Sequence, residues 1–271
     1  AEQRPAPLSP VYARKRYGQH FLHDPAIIER IIACVAPRPD EALLEIGPGH
    51  GALTASLLAA AGTLDVVEID RDLAHELRSH FAGQERLRVH AADALAFDYA
   101  VLARERGRPL RVVGNLPYNV STPLLFRLLA AAGHVRDMHF MLQREVVERI
   151  VAVPGNRQYG RLGVMLAPRV RATRLFEVGP GAFRPAPRVW SAMLRLEVLA
   201  EVPSWAAEPH YSAVVAAAFG QRRKTLRNSL GGLLDAAQIA ATGIDPGVRA
   251  ETLAAEQFGR LALAVAAGTR L

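Results

Sequence analysis

Short segments of strand length, built on apolar residues with a few polar ones among them, recur along this chain, at residues 42–46, 65–70, 87–90, 110–113 and 138–142. Between them, apolar residues fall at helical spacing. One such stretch runs from Asp24 to about Val35, with Asp at the N-cap and Pro in the first turn. Others cover 52–61 and 124–132, the latter entered through Ser121-Thr122-Pro123. Strands alternating with helices predict a parallel sheet covered by helices, an α/β fold. Further on, the pattern predicts a helix over 143–151, a polar loop at 156–161, a helix over 162–167, and strands at 170–176 and 191–197.

Near residue 200 the rhythm changes. Residues 201–209 contain Pro203 and Pro209 and read as a linker. Helical spacing then dominates, at 211–219, 224–234 and 249–267, broken by Gly231-Gly232 and Asp245-Pro246-Gly247. The expected organisation is a loose tail (1–13), an α/β domain (14–200), the linker, and a small helical domain (210–271). There is no internal repeat, low-complexity block or heptad pattern.

With 271 residues, half of them apolar, the chain can bury a large core. Its single cysteine, Cys34, lies in the apolar stripe of the first helix and is expected to be a buried, inert thiol. One cysteine excludes a disulfide framework and a cysteine-based metal site. Ala1 to Pro10 lacks the apolar core of a signal peptide, and the longest apolar stretches are too short to span a bilayer. A reducing cytoplasm fits. The formal net charge is +7. From Arg144 to Arg195 ten arginines meet three acids, an excess equal to that of the whole chain. Such a segment suits a phosphate backbone, although a solvated arginine-rich surface would look the same.

The candidate chemistry gathers where strands end. After 42–46 comes Gly47-Pro48-Gly49-His50-Gly51, a turn in which glycine lets the backbone approach a ligand closely; a purely structural tight turn is the alternative. Glu68 ends the second strand, where a carboxylate can take both hydroxyls of a ribose. Asp93 follows the third, where it can meet an adenine amino group. Asn115-Leu116-Pro117-Tyr118-Asn119 follows the fourth. The Asn115 amide and the Leu116 carbonyl can accept hydrogen bonds from one flat exocyclic amine, Pro117 stiffens the turn, and Tyr118 offers a face to a planar base. Two acceptors on an amine's N–H groups return electron density to its nitrogen and orient it for attack. The acids Glu68 and Asp93 suit a ligand with hydroxyls, an amine and a sulfonium, and no lysine follows the glycines to hold phosphates. That combination points to S-adenosylmethionine. In 183–189, Phe183 can stack on the second face of an extruded base while Arg184 and Arg188 hold phosphate; a rigid hairpin whose Phe caps the core is the alternative. Arg222, Arg223, Lys224 and Arg227 form a basic cluster entering a helix, able to grip RNA or simply to be solvated.

Residues 16–22, 45–49, 68–70, 93–94, 115–119, 183–189 and 221–230, taken in order, resemble the ribosomal RNA adenine dimethyltransferase family, and within it the bacterial small-subunit branch. The resemblance covers about 14–260. It implies a Rossmann-like methyltransferase domain with a small all-helical C-terminal domain. It further implies transfer of methyl groups from S-adenosylmethionine, without a metal, to N6 of two adjacent adenosines in a hairpin near the 3′ end of small-subunit (16S) rRNA. The implied partner is a pre-ribosomal small-subunit particle, and the implied enzyme a monomer. Carried over by position, Gln19, His20, Leu22, Gly47, Glu68, Asp93 and Asn115 meet the cofactor, with Gly49 in the same turn. Asn115, Leu116, Pro117, Tyr118 and Phe183 handle the base. His20 departs from the pattern, since many relatives carry Asn there. Three rivals stay open: the antibiotic-resistance branch that methylates one adenine of large-subunit rRNA, a non-catalytic RNA-binding assembly factor, and a nicotinamide dehydrogenase, which the glycine spacing and 115–118 disfavour.

Overall fold

A computed structural model describes residues 19–117, 120–221 and 223–268. The chain divides into two compact units. One holds the described residues up to Arg144 together with Thr173–Val198; the other holds Glu145–Ala172 and the described residues from Leu199 onward. Residues 145–172, expected in the α/β domain, therefore group with the helical part.

The first unit runs β1 (Phe21–Leu22), α1 (Pro25–Val35), β2 (Ala42–Ile46), α2 (Ala52–Ala60), β3 (Leu64–Glu68), α3 (Arg71–His80), β4 (Leu87–Ala91), α4 (Tyr99–Arg106), β5 (Leu110–Asn115), α5 (Ser121–Ala130) and β6 (Val135–Gln143), and later β7 (Val170–Val178) from Thr173 onward, β8 (Phe183–Arg184) and β9 (Ser191–Val198). Seven strands form one sheet in the order β4-β3-β2-β5-β6-β9-β7. From β4 to β6 the pairing is parallel, and β9 joins β6 antiparallel. Both faces are covered, so β2 and β3 are buried at every position, the acids Glu45, Asp65 and Glu68 included. The chain leaves β2 toward β3 and β4, then returns to β5 on the other side. The switch point therefore lies outside the C-terminal ends of β2 and β5, where open α/β sheets bind ligands.

Local signals account for the helix starts. The Asp24 carboxylate accepts from Ala26 N and Ile27 N, with Pro25 in the first turn. Asp70 caps α3 through Asp72 N, and Asp98 caps α4 through Val101 N. Ile31, Val35, Leu43, Leu57, Val66, Val113 and Phe176 share one core, against which Cys34 packs half-buried rather than fully enclosed. At the other end of the sheet, Arg111 donates to Glu41 at 2.6 Å, to Asp137 at 3.0 Å and to the Val35 carbonyl at 2.8 Å.

The second unit contains α6 (Arg144–Val151), α7 (Arg161–Leu166), α8 (Tyr211–Gly220), α9 (Leu226–Ser229), α10 (Ala236–Ala241) and α11 (Ala255–Gly268). Its core gathers Val164, Val214, Val215, Leu226, Phe258 and Leu261. The Tyr211 hydroxyl donates to the Val164 carbonyl at 3.0 Å. The helix expected over 224–234 is reduced to α9, because the N–H groups of Leu226 and Arg227 donate to the carbonyls of Val248 and Pro246 and Gly231-Gly232 stops the run. Helix α10 was not anticipated. It starts at a capping box in which Asp235 and Gln238 bond reciprocally.

Among the described residues no helix is long and apolar enough to cross a membrane, and no group of three or more His, Cys, Asp or Glu is placed to hold a metal ion.

Candidate active site

A cavity opens at the switch point of the first unit. It is lined by the turn after β2, by Glu68 and Ile69 after β3, by 92–95 after β4, by Asn115, Leu116 and Pro117 after β5, and by 19–22.

The turn is built by backbone geometry. Gly47 has φ +69° and Gly49 φ +56°, in the left-handed region that side chains rarely occupy. A Cβ on Gly49 would also lie 2.8 Å from the Phe21 ring, so no larger residue fits beneath that ring. Gly114 serves the neighbouring strand. It pairs with Ile46, and a Cβ on it would meet the Ile46 carbonyl at 2.5 Å. Only glycine lets β5 run this close to β2 and deliver Asn115 beside Gly47.

Three acidic side chains, and among the described residues no lysine or arginine, line the cavity. Glu68 is buried. Its two oxygens accept from Gly49 N at 3.2 Å and Asp70 N at 2.9 Å. Burial pushes its carboxyl above the usual range, against the pull of those donors. Glu45 is enclosed more completely and accepts from the Thr54 hydroxyl at 2.6 Å. Burial pushes it up to about 8, opposed by the Thr54 bond and reinforced by the Glu68 charge. Asp93 is exposed at the rim, one oxygen accepting from Leu95 N at 2.8 Å. Carboxyl oxygens in this setting suit a ligand that brings hydroxyl and amine donors, and they disfavour a pyrophosphate.

Asn115 is half-buried. Its amide nitrogen donates to the His20 carbonyl at 2.8 Å. A carbonyl can only accept, so the orientation of the amide is fixed and its oxygen is the end left for an incoming N–H. His20 is tied in turn: its Nδ1 donates to the Pro185 carbonyl at 2.7 Å. The two-residue strands β1 and β8 pair antiparallel, Phe21 with Arg184 and Leu22 with Phe183, and His23 N donates to the Ala182 carbonyl at 3.0 Å. This short ribbon borders the cavity, with the Phe21 ring 4.3 Å from that of His50.

The structure thus brings together Gln19, His20, Leu22, Gly47, Gly49, Glu68, Asp93, Asn115, Leu116 and Pro117 on one cavity. Phe183 is a correction. It is 2% exposed, belongs to the core and does not line the cavity. Its cross-strand partner Leu22 belongs to the same core and also reaches the cavity wall, so Phe183 lies behind that wall rather than on it. Tyr118 and Arg222 lie outside the described residues, as do 1–18 and Asn119. Arg223, Lys224 and Arg227 stand exposed about the start of α9 in the second unit. Glu45 falls within the 45–49 motif, but sequence reasoning gave it no role. The signal was a lone acid inside an apolar strand, which is costly to bury unless the site uses it.

A family profile described as "Ribosomal RNA adenine dimethylase" matches residues 11–267. "Ribosomal RNA small subunit methyltransferase A" of Aromatoleum aromaticum is 57% identical over 247 residues, covering 91% of this chain and 91% of that protein. Its counterpart in Marinobacter nauticus is 52% identical over 251 residues, covering 92% and 90%. Among solved structures, a dimethyladenosine transferase from Plasmodium falciparum superposes with a TM-score of 0.76 at 23% identity, over 89% of this chain and 96% of that one. The 23S rRNA methyltransferase ErmE does so with 0.69 at 27% identity, over 91% and 99%.

Proposed function

The chain belongs to the ribosomal RNA adenine dimethylase family, and from that premise we propose that it dimethylates N6 of two adjacent adenosines near the 3′ end of small-subunit rRNA within a pre-ribosomal particle. The observation that carries this reading is the oriented amide of Asn115, whose nitrogen donates to the His20 carbonyl at the edge of the cavity. S-adenosylmethionine, when bound, supplies an electrophilic methyl group on a sulfonium. The residues present fit that ligand. Gly47 and Gly49, both left-handed, bring bare backbone to the cavity wall, and Glu68 and Asp93 present carboxyl oxygens there with no lysine or arginine beside them among the described lining residues.

The remaining work is positioning. An adenine leaves its stack at a cost of a few kcal/mol. We assign the stacking that offsets this to Tyr118, worth about 1–3 kcal/mol per base. The Asn115 oxygen and the Leu116 carbonyl take the two N6 hydrogens and hold the nitrogen lone pair toward the methyl donor. No strong base is needed before attack, since the methylated amine becomes acidic and loses its proton to solvent. Orientation and electrostatics supply most of the rate. After the first transfer the amine turns and presents its remaining N–H. The exposed Arg223, Lys224 and Arg227 are assigned to phosphates of the RNA.

The large-subunit alternative is represented by ErmE at 27% identity, whereas the small-subunit relatives stand at 52% and 57%. The test is methylation of unmodified small and large subunits by the wild type and by Asn115→Ala. The wild type should modify small subunits only. The variant should lose about 100- to 1,000-fold in turnover, the scale of one preorganised polar contact to the reacting group, while calorimetry still detects cofactor binding. Normal turnover by Asn115→Ala would refute the mechanism, and modification of large subunits the substrate.

A further inference from the structure

Beyond the cavity rim, the segment that anchors His20 continues into a surface that the assigned site does not use. It starts at Arg184, paired with Phe21, and at Pro185, whose carbonyl holds His20. It is stiffened by Pro187, which is buried, and ends at Trp190. Trp190 is 48% exposed although its backbone is fixed, its carbonyl accepting from Arg144 N at 2.9 Å. One side of the indole rests near Gly179, where an added Cβ would lie 3.6 Å from the ring. The same segment carries the exposed Arg184 and Arg188, and Arg144, whose N–H meets the Trp190 carbonyl, is exposed as well, as is Arg174. The acid among them, Glu177, is shared by Arg174 at 3.0 Å and Arg144 at 3.6 Å, so the patch stays positive.

A large ring held out in water on a rigid loop, among arginines, and continuous with the rim of a base-binding cavity is poor design for a solvated loop. It is good design for single-stranded nucleic acid, which needs a stacking platform and cations for its phosphates. We propose that this face holds the RNA flanking the target adenosine, with an unpaired neighbouring base stacked on Trp190 and phosphates on Arg184 and Arg188. The proposal rests on the rRNA-substrate reading above and extends it from the target base to its neighbours.

The two kinds of contact have different salt signatures. Each phosphate contact from a cation contributes about 0.7 to the slope of log affinity against log salt on a single strand. A stacked ring contributes affinity without slope. The probe is a protein-free transcript of the 3′-terminal region of small-subunit rRNA, titrated against the full-length protein between low and moderate salt. Trp190→Ala should weaken binding by about tenfold, the scale of one stacked base, with the slope unchanged. Trp190→Phe should recover most of that loss. Arg188→Ala should reduce the slope by about 0.7. All three should bind S-adenosylmethionine as the wild type does, which shows that the fold is intact. A Trp190→Ala protein that binds the transcript like wild type overturns the proposal. So does one that is impaired only on intact particles, because the face would then meet protein. If the wild type fails to methylate small subunits, the underlying reading falls and this inference with it; parity between wild type and variants on an active enzyme removes the inference alone.

Discussion

Glu41 and Glu45 stand four residues apart, at the two ends of β2, and both are buried. Their surroundings are opposite. Burial alone would raise the Glu41 carboxyl, but the Arg111 and Arg136 guanidiniums and the Arg38 N–H outweigh it and hold the group below its ordinary value. Asp137 shares Arg111, so the acids at that end are answered by arginine. At the other end Glu45 has a hydroxyl for a partner and Glu68 has backbone N–H groups, and both carboxyls are pushed up. The same residue type therefore does two jobs. At the closed end, charge is neutralised within the chain and serves stability. At the open end the acids meet only hydrogen-bond donors among the described residues; burial keeps Glu45 protonated at neutral pH, and Glu68 and Asp93 stand ready for the donors of a ligand.

The largest break in this contrast comes from Arg111→Met, which leaves Glu41 and Asp137 buried without their central cation. Removing one partner of a buried network costs about 3–5 kcal/mol, which lowers the melting temperature by roughly 10 °C in a unit of this size. Cofactor affinity of the folded fraction should be unchanged. Thermal melts and calorimetry on the variant check both halves, and a large loss of affinity would show that the two ends are not independent.

A smaller effect should appear in the pH dependence of Glu45. Its folded pKa is raised to about 8, so the native state keeps a proton that the unfolded chain releases near its ordinary value. Between those two values the native state binds more protons, and stability therefore falls as pH rises. The contribution is present at low pH and is lost as pH passes through about 8. The slope is at most one proton, about 1.4 kcal/mol per pH unit. Glu45→Gln keeps an oxygen for Thr54 and removes the titration. Its melting temperature should gain on the wild type steadily from pH 5 to pH 8 without added cofactor, and parallel curves would contradict the burial argument.

Much of this arrangement could be read before folding. Period and glycine placement located β2 to β6 and the ligand edge, because each strand is a local pattern and Gly47, Glu68, Asp93 and Asn115 stand at or just after the end of one. What could not be read depends on distant pairing. Phe21–Leu22 meets Phe183–Arg184 across the chain, and two-residue strands carry no periodicity. The place of Phe183 behind the cavity wall comes with that pairing, since its local motif is the same whether the ring points in or out. The grouping of 145–172 with the helical unit was hidden for a similar reason. Its helices look like continuations of the α/β alternation, and only tertiary packing assigns them elsewhere.

Glu68→Gln sharpens the contrast at its finest grain. The carboxylate accepts two backbone N–H groups, one on each oxygen. An amide can keep one of these and must turn its NH2 toward the other, losing a bond worth about 1 kcal/mol. Against that, the variant no longer holds a carboxylate that burial disfavours. The two terms oppose each other, so unfolding without cofactor should shift by less than about 1 kcal/mol. Binding has no such compensation. A ribose hydroxyl bonded to an ionised oxygen would be bonded to a neutral one instead, and the charge facing a cationic ligand would be gone, a loss of roughly tenfold in affinity. The expected signature is a weaker titration with S-adenosylmethionine alongside an unmoved apo melt, the reverse of Arg111→Met. A variant that melts early and binds normally would place Glu68 with the structural acids of the closed end.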